Sequence, residues 1–170
     1  MNIAIIGYGR MGHEIEKVAQ DKGISVIRID PNAEGADFRE INEKSMKGID
    51  VCVDFSHPDV VIGNIEKAAK FRKNIVVGTT GWYNSMDTVK KIVKDSGIGL
   101  IWSGNFSIGV NIYFRIIENA ARVINKFNDY DLFVHEFHHN KKADSPSGTA
   151  VMIGKILVDN IERKKKIVTE

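Results

Sequence analysis

Residues 3–12 read Ile3-Ala4-Ile5-Ile6-Gly7-Tyr8-Gly9-Arg10-Met11-Gly12. A short apolar run, rich in isoleucine, leads straight into glycines spaced G-x-G-x-x-G. The run has the length and β-branched composition of a strand buried on both faces. From Met11 the period changes, and Ile15, Val18 and Ala19 share one side of a helix over 11–22. A glycine turn between strand and helix is the context in which this spacing gains chemical meaning. Gly7 permits the tight turn, Gly9 leaves no side chain in the path of a pyrophosphate, and Gly12 lets helix and strand pack closely. The N–H groups at the helix start favour the anion. Asp30 ends the next apolar run, where a carboxylate accepts hydrogen bonds from an adenosine ribose. The bland alternative is an ordinary strand-helix turn with Asp30 on the surface. The expected cofactor is NADH or NADPH. Asp30 repels a 2′-phosphate and favours NADH, while Arg28 or Arg10 would attract one.

The same rhythm continues outward. Apolar runs at Ser25–Ile29, 49–55, Asn74–Val77 and 98–102 alternate with helical patterns at 60–72 and 85–95. Strand-helix repetition at this spacing means parallel pairing, because parallel strands need long crossovers. The expected fold class is α/β, a Rossmann-like parallel sheet over residues 1–105. Beyond it the rhythm changes to a long helix over 108–127, with Ile112, Ile116, Ile117, Ala120, Ala121 and Ile124 inward. A strand at 131–138, a polar loop and a helix over 147–162 follow. This predicts a second, smaller α+β substrate domain over 106–170.

Net charge is +2, too close to neutral for a nucleic-acid partner, and no run approaches the roughly 20 apolar residues of a membrane span. Cys52 is the single cysteine, so an intrachain disulfide is impossible. A cytoplasmic protein is expected. The basic run Arg163–Lys166 is read as the solvated C-terminus of the last helix.

Ligands of an open parallel sheet bind at the carboxyl ends of its strands. Two loops fall there, Gly78-Thr79-Thr80-Gly81-Trp82 and Ser103-Gly104-Asn105-Phe106-Ser107. Each alone is a routine loop; their shared position points to the nicotinamide half of the cofactor.

The segment His135-Glu136-Phe137-His138-His139 fits H-E-x-x-H, a zinc pattern that needs a helix. A strand would separate His135 and His139 by about 13 Å, too far to share an ion, so no metal is expected. A strand end places Glu136 and His138 on one side, His135 and His139 on the other. The loop after it brings Lys142 to Ser147-Gly148-Thr149, a natural helix N-terminus with cap-forming residues and free N–H groups. Together these form a pocket for a carboxylate beside an imidazole able to move protons near neutral pH. A purely structural role for His138 is the alternative.

The run Glu136-Phe137-His138-His139, with Lys142, Asp144 and Pro146-Ser147-Gly148-Thr149-Ala150, resembles the signature E-x-H-H-x-x-K-x-D-x-P-S-G-T-A of the 4-hydroxy-tetrahydrodipicolinate reductase (dihydrodipicolinate reductase) family. Arg10-Met11-Gly12, Asp54-Phe55-Ser56, Gly78–Trp82 and Asn105-Phe106-Ser107-Ile108-Gly109-Val110 resemble the family in the same order. The resemblance implies NAD(P)H-dependent reduction of a cyclic dicarboxylate in lysine and diaminopimelate biosynthesis. It assigns His138 and Lys142 to acid-base work and His139, Ser147, Gly148 and Thr149 to the substrate carboxylate. Gly7, Gly9, Arg10, Met11, Gly12 and Asp30 fall to the cofactor, with Gly78, Thr79, Thr80, Gly104, Asn105 and Phe106 on its nicotinamide side. A homo-oligomer, the family tetramer, is implied as well. Members usually run past the position of Glu170, so the second domain reads as incomplete relative to the family, and their glycine loop often carries one more residue. A non-catalytic NAD(P)-binding module, or an inactive fragment, is the alternative.

Overall fold

The computed structural model describes residues 1–138, 140 and 145–169. The chain divides into two units, 1–104 and 105–170.

In the first unit, β1 (Asn2–Ile6), β2 (Ser25–Ile29), β3 (Val51–Asp54), β4 (Asn74–Val77) and β5 (Leu100–Trp102) form one parallel sheet in the order β2-β1-β3-β4-β5. The chain steps one way from β1 to β2 and the other way from β3 onward. Right-handed crossovers therefore send α1 (Arg10–Asp21) to one face and α3 (Pro58–Lys70) and α4 (Met86–Ser96) to the other. The alternation within β1 matches. Ile3 and Ile5 pack with Ala19 on the α1 side; Ala4 and Ile6 join Val61, Ile65 and Val89 on the opposite side. Ile5 and Ile65 are completely buried, each contributing about 1.5–3 kcal/mol against an exposed position. Val18, expected on the inner side of α1, is half-exposed, since the helix covers only the β1-β2 edge of its face.

Between β2 and β3 lies α2 (Glu43–Met46), unexpected from the sequence pattern, a single turn closed by a capping box. The Asn42 side chain accepts from the Ser45 N–H at 3.0 Å, and the Asn42 N–H donates to the Ser45 hydroxyl at 2.8 Å. The turn places Met46 in the core.

The second unit holds α5 (Ile108–Ile124) and α6 (Gly148–Asn160), packed on each other through buried Ala121 and Ile153. Three expectations are corrected there. The 131–138 segment is not a strand: among the described residues none of its backbone groups pairs with another chain segment, and Phe133 and Phe137 are almost fully exposed. A strand exists only with a neighbour to hydrogen-bond, so apolar alternation alone does not make one. Of the α5 stripe, Ile112, Ile116 and Ala120 are exposed, because α6 leaves part of that stripe uncovered. The basic run 163–166 lies beyond the end of α6 instead of at its C-terminus. There Arg163 donates to the Tyr130 carbonyl at 2.7 Å and Lys164 pairs with Asp131. These contacts tie the chain after α6 to the start of the 131–138 segment.

Candidate active site

The glycine turn is built as its spacing requires. Gly7 has φ +88°, and a Cβ there would sit 2.4 Å from the Phe55 carbonyl oxygen. Positive φ and backbone contact each exclude other residues. A Cβ on Gly12 would lie 2.6 Å from the Gly7 carbonyl oxygen, so this glycine permits the close approach of α1 to the turn. Gly9, the N-cap of α1, would place a Cβ in open space. It faces a cavity of about 300 Å³ lined by Gly9, Arg10, Met11, Gly78, Thr79 and Thr80. The turn after β1 and the loop after β4 thus meet at the carboxyl ends of their strands. Phe55, Ser56 and Pro58, from the β3-α3 connection, complete the lining. An open cradle above a helix N-terminus fits a pyrophosphate.

Several of these residues also make contacts within the fold. Gly78 lacks a side chain because the Phe55 ring occupies its place: a Cβ would lie 2.1 Å from the ring. The Thr79 hydroxyl turns inward, donating to Asp54 at 2.6 Å and accepting from the Ser56 N–H at 2.8 Å. Asp54 is completely buried at the end of β3 and also accepts from the Ser56 hydroxyl and from the Asn64 amide, both at 2.8 Å. One carboxyl group therefore ties together β3, α3 and the β4 loop at the floor of the cavity. In the sequence, Asp54 stands out only within the family resemblance. Its signal was a carboxylate closing a strand otherwise apolar.

Asp30 stands at the end of β2 and is occupied by backbone. Its carboxylate accepts from the N–H groups of Tyr8 at 2.9 Å and of Asn32 and Ala33 at 2.8 Å. Burial would raise this carboxyl; those donors and nearby Arg39 outweigh it and hold it below its usual range. Asp30 thus braces the glycine turn. Arg28, weighed above as a 2′-phosphate ligand, is committed elsewhere. It grips Asp37 with two nitrogens at 2.7 and 2.9 Å, and its neighbour Glu16 lies at 3.4 Å. The Asp37 contact, followed by Tyr8, raises its already high affinity for a proton. Arg10 lines the cavity, and Arg39, not considered above, donates to the Ala33 carbonyl beside Asp30 at 2.7 Å.

Gly104 closes the first unit next to the β4 loop: a Cβ there would lie 3.0 Å from the Tyr83 hydroxyl and 3.8 Å from the Thr80 methyl. Asn105 and Phe106 belong to the second unit. The Asn105 side chain accepts from the Ser107 N–H at 2.8 Å, and Asn111 donates to its carbonyl at 2.9 Å, fixing the entry to α5. Phe106 lines a cavity of about 530 Å³ between α5 and α6, with Ile108, Ile112, Met152 and Ile156.

The histidine segment is extended, so residues two apart lie on one side. Glu136 and His138 meet, with the carboxylate 2.8 Å from Nε2, while the His135 and Phe137 rings contact each other at 4.4 Å. The Glu136 carboxylate also accepts from the Ser147 N–H at 2.8 Å and from its hydroxyl. Ser147 caps α6, accepting from the Ala150 N–H at 3.0 Å. The two Ser147 donors, then His138, hold the Glu136 carboxyl down at about 2. The first-turn N–H groups of Gly148 and Thr149 have no acceptor within their own helix. His139 and Lys142 lie outside the described residues. Among the described residues no three His, Cys, Asp or Glu side chains are grouped to hold a metal.

The comparisons with known proteins follow this division. The model of the dihydrodipicolinate reductase N-terminus matches residues 1–106, and that of the C-terminus matches 109–169. The chain belongs to the dihydrodipicolinate reductase family. The family is one of NAD(P)H-dependent oxidoreductases. A 4-hydroxy-tetrahydrodipicolinate reductase of Christiangramia forsetii is 34% identical over 166 residues, which cover 97% of this chain and 67% of the relative. Among solved structures, a dipicolinate-bound dihydrodipicolinate reductase from Paenisporosarcina superposes with a TM-score of 0.75 at 23% identity, over 100% of this chain and 70% of that one. An Agrobacterium radiobacter oxidoreductase in complex with NAD+, L-tartaric acid and magnesium gives 0.53 at 14% identity, over 74% and 40%. These two likenesses concern the fold. No helix among the described residues is long and apolar enough to cross a membrane.

Proposed function

We propose that this chain reduces 4-hydroxy-tetrahydrodipicolinate to tetrahydrodipicolinate, in lysine and diaminopimelate biosynthesis in the cytoplasm. The observation that carries the reading is the tandem match of both family halves, the second of which includes the Glu136–Ala150 signature. The bound nicotinamide supplies the hydride. The Gly7–Gly12 turn and the N-terminus of α1 hold the pyrophosphate, with Arg10 and Met11 at the rim. The Gly78–Thr80 loop and the Gly104–Phe106 segment border the ring.

His138 and Lys142 move the proton that must reach the carbon next to the reduced centre. The amides of Gly148 and Thr149, with His139, hold a substrate carboxylate; Ser147, expected in the same role, has its N–H and hydroxyl engaged by Glu136. A dianionic substrate suits this set, because helix N-terminal amides bind anions and the sequence carries a cationic Lys142 shortly before the α6 cap. For the nucleotide, Asp30 favours NADH, and the engagement of Arg28 removes one of the groups that would have recruited a 2′-phosphate. Arg10 and Arg39 remain for NADPH. A homo-oligomer is part of the same reading, supported by the apolar side chains that α5 exposes.

The test is an NADH-oxidation assay with substrate generated enzymatically in the cuvette, on wild type and on the double variant His138→Ala with Lys142→Ala. Turnover is expected to vanish while NADH affinity stays near wild type. Loss of cofactor affinity in the variant would assign these residues to structure and sink the acid-base reading. Tight NADH binding by the wild type without turnover would instead favour the non-catalytic module.

A further inference from the structure

His138 has Glu136 as its neighbour on the same side of the segment, and the acid-base assignment gives that carboxylate no role. The Glu136 carboxylate is divided between two partners. One oxygen accepts from the Ser147 N–H at 2.8 Å; the other takes the Ser147 hydroxyl and lies 2.8 Å from His138 Nε2. Ser147 is in turn fixed as the cap of α6. The chain of contacts runs from imidazole to carboxylate to helix N-terminus, across a segment with no ladder of its own. A free imidazole on such a segment would sample several rotamers and both tautomers. A carboxylate accepts only, so it selects the tautomer with the proton on Nε2 and leaves Nδ1 as the other nitrogen.

We propose that Glu136 is the positioning residue for His138: anchored on Ser147, it holds Nε2–H and presents Nδ1 as the nitrogen that exchanges a proton with the substrate. The depressed Glu136 carboxyl fits, since it stays ionised throughout the range in which an imidazole titrates. The arrangement also couples proton transfer to binding. The same serine that caps α6 locks the carboxylate, so the imidazole is oriented by the element read above as gripping the substrate.

This inference rests on the acid-base reading of His138, and the experiment separates the two. The variant Glu136→Gln keeps the shape of the side chain. Its carbonyl can accept from the Ser147 N–H, but its amide then faces Nε2 with donors and forces the proton to Nδ1. Two measurements are made on the full chain. In the first, 15N NMR of labelled histidine is expected to show His138 protonated on Nε2 in the neutral wild type and on Nδ1 in Glu136→Gln. In the second, kcat is expected to fall on the order of 10²-fold, with the NADH Kd unchanged. His138→Gln serves as the reference. If it abolishes turnover while Glu136→Gln leaves kcat and the 15N pattern as in wild type, the positioning proposal is overturned and the acid-base reading stands. If His138→Gln retains full turnover, both are overturned.

Discussion

Two carboxyl groups organise the two units, and they do it in opposite surroundings. Asp54 closes a strand in the middle of a parallel sheet, completely buried, with donors from Thr79, Ser56 and Asn64. Glu136 lies on a segment without regular structure, partly open to solvent, with donors from Ser147 and an imidazole at its side. Both fix a loop beside the N-terminal end of a helix. The buried group serves stability and geometry together, because its donors would otherwise lose their acceptor in the interior. The partly open group packs little, so its contacts chiefly set orientation and add only a small stabilisation. Buried polar groups are costly to leave unpaired, and exposed ones are not.

The largest expected effect breaks the first unit at its cradle. Gly7→Ala should lose about 1–2 kcal/mol from the left-handed backbone alone, and the overlap with the Phe55 carbonyl adds to it. Chemical denaturation and NADH titration should both report the loss. A variant with wild-type midpoint and affinity would show that the turn relaxes without cost. Next, Asp54→Ala strands the buried Thr79 hydroxyl without an acceptor, at about 1–3 kcal/mol for a buried group left unpaired, while the half-buried Asn64 amide keeps the Ser56 hydroxyl at 3.2 Å. An unchanged melting temperature would mean that water or repacking replaces the carboxylate, and the contrast with Glu136 would collapse.

The smallest effect is the sharpest discriminator. The Glu136 carboxyl lies at about 2 in the folded chain, against an ordinary value of 4.5. A depressed carboxylate stabilises the fold above its unfolded value, and the contribution disappears as pH falls through the folded one. The melting-temperature difference between wild type and Glu136→Gln should therefore be greatest above pH 5 and shrink towards pH 2. A pH-independent difference would place the carboxylate outside the Ser147 contact.

Most of the first unit was legible because its elements are defined locally. Strands buried on both faces are continuous apolar runs, and the crossover rule orders the helices once those runs are seen. The glycine turn was legible for the same reason, since Gly7 and Gly12 answer to a single strand-helix corner. The 131–138 segment was misread because its apolar alternation is a property of the letters, whereas a ladder is a property of two chains. Val18, Ile112 and Ile116 were misplaced because helical periodicity shows that a helix has a face but not how much of it a neighbour covers.

The hydroxyl partners that Thr79 offers Asp54 and Ser147 offers Glu136 could not be read from spacing. Thr79 lies 25 residues from Asp54, and Ser147 lies 11 from Glu136. Spacing carries no information on which hydroxyl turns inward. The sequence by itself determined the parallel sheet, the cradle at its first turn and the family signature, because each depends on residues adjacent along the chain. Only the tertiary structure decided that Asp30 braces a turn, that Arg28 is already paired and that Glu136 holds His138. Hydrogen bonds act over about 3 Å of space, whatever length of chain separates the groups that make them.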